Sequence, residues 1–328
     1  MRFARNYLLA VAMLLLFTPL AAAAQPATKI PRVGYLFFGT SGSDPAAIEG
    51  LRQGLRGFGY IEKQNLMIEY RYADGNSDRL PRLVTELIDL KVDVLITQGT
   101  AATAAAKRVT TATPVVFVAL DPVGSGLVQS LARPGGNITG MSFASGETFS
   151  GKWLALVKEI APKAPRVGVI WNPSNPGNAT HVKEMEALAP RLGLQLSSHR
   201  VRTLEDINGA FAGFTNARVA ALIVETDPIT IALRSQIVRL AATNKLPAIY
   251  GVREFVEAGG LMSYGPNLFD LWRQAAVYVD KILRGNKAAD LPVEQSTKFE
   301  LVVNLKTAQA LGIAISPSLR IQADHIID

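Results

Sequence analysis

The chain has 328 residues, no cysteine, 34 Lys+Arg against 27 Asp+Glu, and a formal net charge of +7. With 48% hydrophobic and 19% charged residues it can bury a sizeable core, which excludes a disordered polyelectrolyte. The lack of cysteine excludes a disulfide scaffold, a thiol nucleophile, a Cys zinc site, a thiol-held iron–sulfur cluster and a lipoprotein anchored through cysteine. The basic residues are spread along the chain, which argues against nucleic acid as a partner.

Residues 1–24 read as a secretory signal peptide. Arg2 and Arg5 supply the positive start, residues 7–17 the apolar stretch, Pro19 a breaker, and Ala22 and Ala24 a small-x-small cleavage site. The apolar run is too short to span a membrane comfortably. A periplasmic location follows, with cleavage near Ala24.

Beyond the leader, strand and helix patterns alternate. Apolar runs at 32–38, 66–72, 92–97 and 114–118 are separated by amphipathic stretches at 45–57 and 79–90. In the second stretch Leu80, Leu83, Val84, Leu87 and Ile88 share one helical face. Such βαβ units make a parallel sheet covered by helices on both sides. The rhythm restarts with strands at 137–143, 166–171, 195–201, 220–224 and 247–250, and helices near 147–160, 180–192, 204–214 and 229–243. The tail differs, with strands at 260–264 and 299–303 and helices at 268–283 and 305–311. The fold class is α/β: two Rossmann-like lobes with parallel sheets. The extra tail pieces predict discontinuous lobes, one of 30–142 plus about 262–290 and one of 143–261 plus about 297–328.

Open parallel sheets bind ligands beyond the carboxyl ends of their strands, where helix N-termini offer free N–H groups. In the first lobe that rim holds Phe38, Gly39, Thr40, Gln98, Gly99, Thr100, Ala101 and Asp121. In the second it holds Asn172, Ser174, Asn175, Asp227, Tyr250 and Gly251, with Glu225 and Thr226 beside Asp227. Phe38, Trp171 and Tyr250 are the expected aromatic walls. The same residue types also serve as ordinary turn and cap residues.

Other patterns point away from catalysis. Gly146-Glu-Thr-Phe-Ser-Gly151-Lys152-Trp153 follows a phosphate-binding loop until Trp153, where Ser or Thr is required; a helix start with Trp153 packed is expected instead. No Gly-x-Ser-x-Gly elbow is present. His181, His199 and His325 lack metal-ligand spacing and are expected at the surface. No metal and no cofactor are expected.

Several stretches together resemble a known family. They are Arg32-Val-Gly-Tyr-Leu, Asp121-Pro-Val-Gly-Ser-Gly-Leu-Val, Leu131-Ala-Arg-Pro-Gly-Gly-Asn-Ile-Thr-Gly, Asn172-Pro-Ser-Asn-Pro, Val256-Glu-Ala-Gly-Gly-Leu-Met-Ser-Tyr-Gly and Ala289-Asp-Leu-Pro-Val-Glu. In this order they resemble the ABC-transporter substrate-binding proteins related to the tryptophan-binding lipoproteins of Gram-positive bacteria. The resemblance implies a type I periplasmic-binding-protein fold with three hinge crossings and a ligand in the cleft. It implies that Thr40, Thr100 and Ala101 receive a carboxylate and that Asp227 holds an α-amino group. The chain departs from those relatives in lacking the lipid-anchor cysteine and in carrying Tyr250-Gly251 where smaller or hydroxyl residues occur.

A non-catalytic solute receptor is therefore expected, taking an amino acid (aromatic included) or a related organic carboxylate. Its partners would be an inner-membrane permease with a cytoplasmic ATPase, and its state monomeric. A sensory receptor for a membrane kinase and an exported α/β enzyme share this architecture; the second would need a catalytic constellation.

Overall fold

The computed structural model describes residues 29–143 and 147–328, so the leader expected over 1–24 lies outside the described residues. The chain first lays down β1 (Arg32–Phe37), α1 (Pro45–Gly57), β2 (Met67–Tyr72), α2 (Leu80–Asp89), β3 (Val94–Gln98), α3 (Thr100–Val109), β4 (Val115–Ala119) and β5 (Ile138–Ser142). It continues with α4 (Glu147–Ile160), β6 (Arg166–Trp171), α5 (Pro176–Leu188), β7 (Gln195–Arg200), α6 (Leu204–Asn216), β8 (Ala221–Val224), α7 (Pro228–Ala232), α8 (Arg234–Thr243), β9 (Ala248–Tyr250), α9 (Glu254–Glu257) and β10 (Met262–Pro266). The tail adds α10 (Leu268–Leu283), β11 (Glu294–Gln295), β12 (Phe299–Asn304), α11 (Leu305–Leu311), α12 (Pro317–Gln322) and β13 (His325–Ile327).

Two sheets result. The first has the order β11-β5-β4-β3-β1-β2 and the second β13-β12-β10-β9-β8-β6-β7. Strands β3, β4 and β5 are buried along their whole length, which is why β4 reads as an unbroken apolar run and none of them alternates apolar with charged residues. One face of the first sheet packs on α1 and α10, with Tyr35, Leu51, Leu55 and Trp272 in its core. The other packs on α2 and α3, with Leu36, Leu87 and Ala105. The second sheet is likewise covered, by α4 and α5 on one face and by α6 and α8 on the other.

Helix starts follow the side-chain chemistry. Asp44 caps α1 by accepting from Ala47 N at 3.2 Å, with Pro45 in the first turn. Asn175 caps α5 in the same way, and Thr203 with Asp206 forms a capping box on α6. The stretch expected as one helix over 229–243 is two, α7 and α8, broken at Leu233.

The chain passes between the lobes three times: after β5, after β10 and between β11 and β12. The return to the first lobe starts later than the expected 262. Met262 and Ser263 pair with Ile249 and Tyr250, so β10 belongs to the second sheet, and only α10 goes back to pack on α1. Gly50 and Gly54 make that packing possible. A Cβ at either would collide with the backbone carbonyl of Phe269 or Arg273. One strand pair also departs from the expected parallel sheets. β10 leaves the second lobe at Pro266 and β12 re-enters beside it at Phe299, so the two run antiparallel. The segment matching a phosphate loop is helical from Glu147 onward, and Trp153 is 1% exposed, donating its indole N–H to Tyr264 O at 3.0 Å.

Candidate functional site

The carboxyl ends of the two sheets meet at a seam. In the first lobe α3 begins at Thr100 after Gly99, whose φ of 88° is accessible to glycine. No side chain caps α3, so its first N–H groups are open to an acceptor from outside the helix. Thr100 is buried and donates its hydroxyl to Leu120 O at 3.2 Å, tying α3 to the end of β4. Ala101 is half-buried.

Directly across lies the start of α7. A Cβ on Gly99 would stand 3.4 Å from the Pro228 ring. Ile229 goes further and packs among first-lobe side chains that include Phe38 and Ala73. Leu120 O likewise faces Gly177 at the start of α5. Arg234 donates to Ser43 O at 3.2 Å. These contacts join residues of opposite lobes.

Asp227 is the polar centre of the second rim. It is 2% exposed. Its Oδ1 accepts from Asn172 Nδ2 at 3.0 Å and from Ile229 N at 2.9 Å, and its Oδ2 accepts from Asn175 Nδ2 at 2.9 Å. Burial pushes its carboxyl up; the three donors pull it down, and the nearby Glu225 charge pushes it up again. An ionised carboxylate accepts at about four positions, so one on Oδ2 remains for a ligand donor. An arriving ammonium would favour the charged form.

The sequence-predicted residues do not all converge on this seam. Asn172, Asn175 and Asp227 form one hydrogen-bonded group, and Pro228, next after Asp227, faces Gly99. Ser174 gives its backbone N–H to Asn172 Oδ1 at 2.9 Å, a local turn. Gly39 is buried and Thr40 exposed, its carbonyl accepting from Ser43 Oγ at 2.7 Å. Gln98 is buried, but its amide is engaged by the Tyr35 hydroxyl and the Asp44 carboxylate inside the first lobe. Asp121 is half-buried with φ 41°, its carboxylate accepting from Gly124 N at 2.9 Å. Tyr250 packs in the second lobe's core, stacked on Phe255 with ring centres 4.6 Å apart. Burial alone pushes its hydroxyl pKa up. Gly251 is buried against Thr226 and Trp153. Trp171 lies near the β7 edge with the Arg200 guanidinium 5.6 Å from its ring centre.

One reading of the residues is overturned. His181 is 5% exposed, not at the surface. Its Nδ1 sits 2.9 Å from Glu225 Oε2, and its ring stacks on Phe149 at 5.2 Å. Burial would lower its pKa, but the Glu225 charge and hydrogen bond outweigh this and hold it above the ordinary value. Asn178 Nδ2 donates to Thr226 O at 3.1 Å, joining this pair to the Asp227 loop. The signal was present: Asn172, Asn175, Asn178 and His181 recur every third residue, a polar stripe along one face entering α5. Among the described residues no group of three or more His, Asp or Glu is placed to hold a metal. No described helix is long and apolar enough to cross a membrane.

Comparison with known proteins agrees with this architecture. A tyrosine-binding protein of Clostridioides difficile is 27% identical over 282 residues, covering 85% of this chain and 79% of the relative. The crystal structure of an ABC domain from Streptococcus pneumonia in complex with L-Trp matches with a TM-score of 0.84 at 27% identity, covering 90% of this chain and 99% of the other. A conserved domain protein from Vibrio cholerae matches with a TM-score of 0.85 at 27% identity, covering 91% and 100%. The profile of the ABC transporter substrate binding proteins spans residues 40–327, and the chain belongs to that family.

Proposed function

We propose that this protein is the exported solute receptor of an ABC importer and that it captures an α-amino acid between its lobes. The observation that carries the reading is the uncapped start of α3 at Gly99-Thr100 standing opposite Asp227-Pro228. The first offers backbone N–H groups and a positive dipole end to a carboxylate. The second offers a carboxylate oxygen to an ammonium. The two halves of an amino acid thus belong to different lobes, and only the closed arrangement satisfies both. Ligand then favours closure through its differential contacts. The closed form docks on the permease. The similarity to tyrosine- and tryptophan-binding proteins supports an aromatic side chain.

A thermal-shift panel on refolded, ligand-stripped protein tests this. It should hold L-tyrosine, L-tryptophan, other amino acids, the corresponding acids without the amino group, sugars and short-chain acids. At 100 times Kd a ligand adds about 2.7 kcal/mol of stability, a clear rise in Tm. A larger shift with amino acids than with their deaminated analogues is expected. A shift confined to non-amino solutes would overturn the reading.

A further inference from the structure

We infer that closure of the lobes is coupled to proton uptake at a carboxyl seam formed by Asp44 of the first lobe and Glu254 of the second. The inference rests on the reading of the two lobes as a closing receptor.

Around the Arg234–Ser43 contact, a chamber of about 560 Å³ is bounded by both lobes, with Ser43, Asp44 and Phe269 on one side and Arg234 and Glu254 on the other. Asn267, at the second crossing, also lines it. Asp44 is 3% exposed. Its carboxylate is held inside its own lobe by Ala47 N and the Gln98 amide. Glu254 Oε2 is buried and has no hydrogen-bond partner.

The cations lining the chamber serve other groups. Arg253 is turned to Glu257 at 2.9 Å and to Glu300 at 3.4 Å. Arg234 donates to two backbone carbonyls, Ile231 O at 2.8 Å and Ser43 O across the seam at 3.2 Å. Its charge falls on Asp44, whose carboxyl it lowers against the stronger effect of burial. On the strand behind, Glu300 is approached by Asn267 at 3.3 Å and by His325 at 3.7 Å. On α10, Asp270 is taken by Arg273 at 3.1 Å.

Glu254 therefore meets Asp44, Glu257 and Glu300 with no cation of its own. Burial first, opposed by a hydrogen bond from its own backbone N–H and aided by these like charges, pushes its carboxyl up to about 7. Opening separates it from Asp44 and admits water, which returns it toward the ordinary carboxylate range of about 4.3. Closing then takes up a proton at any pH between those values. Acid favours the closed state, and above neutrality closure must bury the Glu254 charge on a chamber that Asp44 also lines. Each pH unit by which closing raises this pKa shifts the open–closed ratio by about tenfold at alkaline pH.

The test uses the whole mature chain without ligand, so it does not depend on which solute binds. Because the chain has no cysteine, Thr111→Cys and Arg191→Cys place one dye on each lobe for energy transfer. The closed population should rise from pH 8 to pH 5.5. Glu254→Gln should hold the acid-like population at both pH values. Transfer that is independent of pH, or an unchanged pH response in Glu254→Gln, overturns the inference. In a second arm, L-tryptophan affinity should fall by roughly thirtyfold between pH 5.5 and 8 in the parent and stay flat in Glu254→Gln. Absence of L-tryptophan binding at both pH values would count against the proposed solute, while the dye measurement still decides the seam.

Discussion

Replacing Asp227 by Asn separates the ammonium role from the structural one. The substitution keeps the side chain's shape and its Oδ1, which still accepts from Ile229 N and Asn172 Nδ2. At the other position the new amide faces Asn175 Nδ2, donor against donor. Asn175 cannot turn over, because its Oδ1 is held by Gly177 N at 3.1 Å. One buried donor is left unsatisfied, for a stability loss of about 1–3 kcal/mol. Binding loses the charge-assisted bond to the ammonium, about 1.5–3 kcal/mol, or roughly ten- to a hundredfold in Kd. Calorimetry with L-tryptophan and with indole-3-propionate, which lacks the amino group, reads the two effects apart. The amino acid should lose affinity and the acid should not. Equal losses for both, or none for L-tryptophan, would refute the assignment of Asp227.

Two further substitutions probe the frame behind the site. Gly54→Ala forces a Cβ into the Arg273 carbonyl and should cost about 1–3 kcal/mol in urea unfolding, with unchanged Kd in the surviving folded protein. His181→Ala leaves Glu225 buried without its cation and should cost about 3–5 kcal/mol at pH 6. Because the folded pKa of His181 lies above the unfolded value near 6.5, the stability from its charge is fully present below about pH 6.5. It is lost as pH rises through the folded value, so the cost of His181→Ala should shrink in unfolding measured at pH 9. A cost that is the same at both pH values would show that packing, not charge, is what His181 provides.

The lobes were legible because the chemistry is local. Buried parallel strands such as Val115–Ala119 are apolar on both faces, and helix starts such as Pro45 and Pro176 carry their caps in the preceding residue. The rim positions follow from the same alternation, which is why Gly99, Thr100, Asn172, Asn175 and Asp227 could be named. Direction of side chains was not legible. Gln98 ends β3 at the rim, yet its amide points into the first lobe toward Tyr35 and Asp44, a contact 54 residues distant in sequence. Tyr250 sits at the rim by position and in the core by packing, because Phe255 five residues later turns back onto it. Sequence position alone puts His181 at the surface, because its partner Glu225 lies 44 residues away, on another element. Arg234 and Glu254 carry no motif; only the meeting of two lobes gives them a role. The boundary expected at 262 misplaces the strand Met262–Pro266, because pairing with β9 and β12 is a matter of register, which periodicity leaves open.

The most direct test of the central claim is a crystal structure of the ligand-stripped protein after addition of the best amino acid from the thermal-shift panel. The account predicts the carboxylate on the backbone N–H groups at Thr100 and Ala101, and the ammonium on Asp227 Oδ2 in a closed cleft. A solute bound with its ammonium away from Asp227, or seated on one lobe with the cleft open, would contradict it.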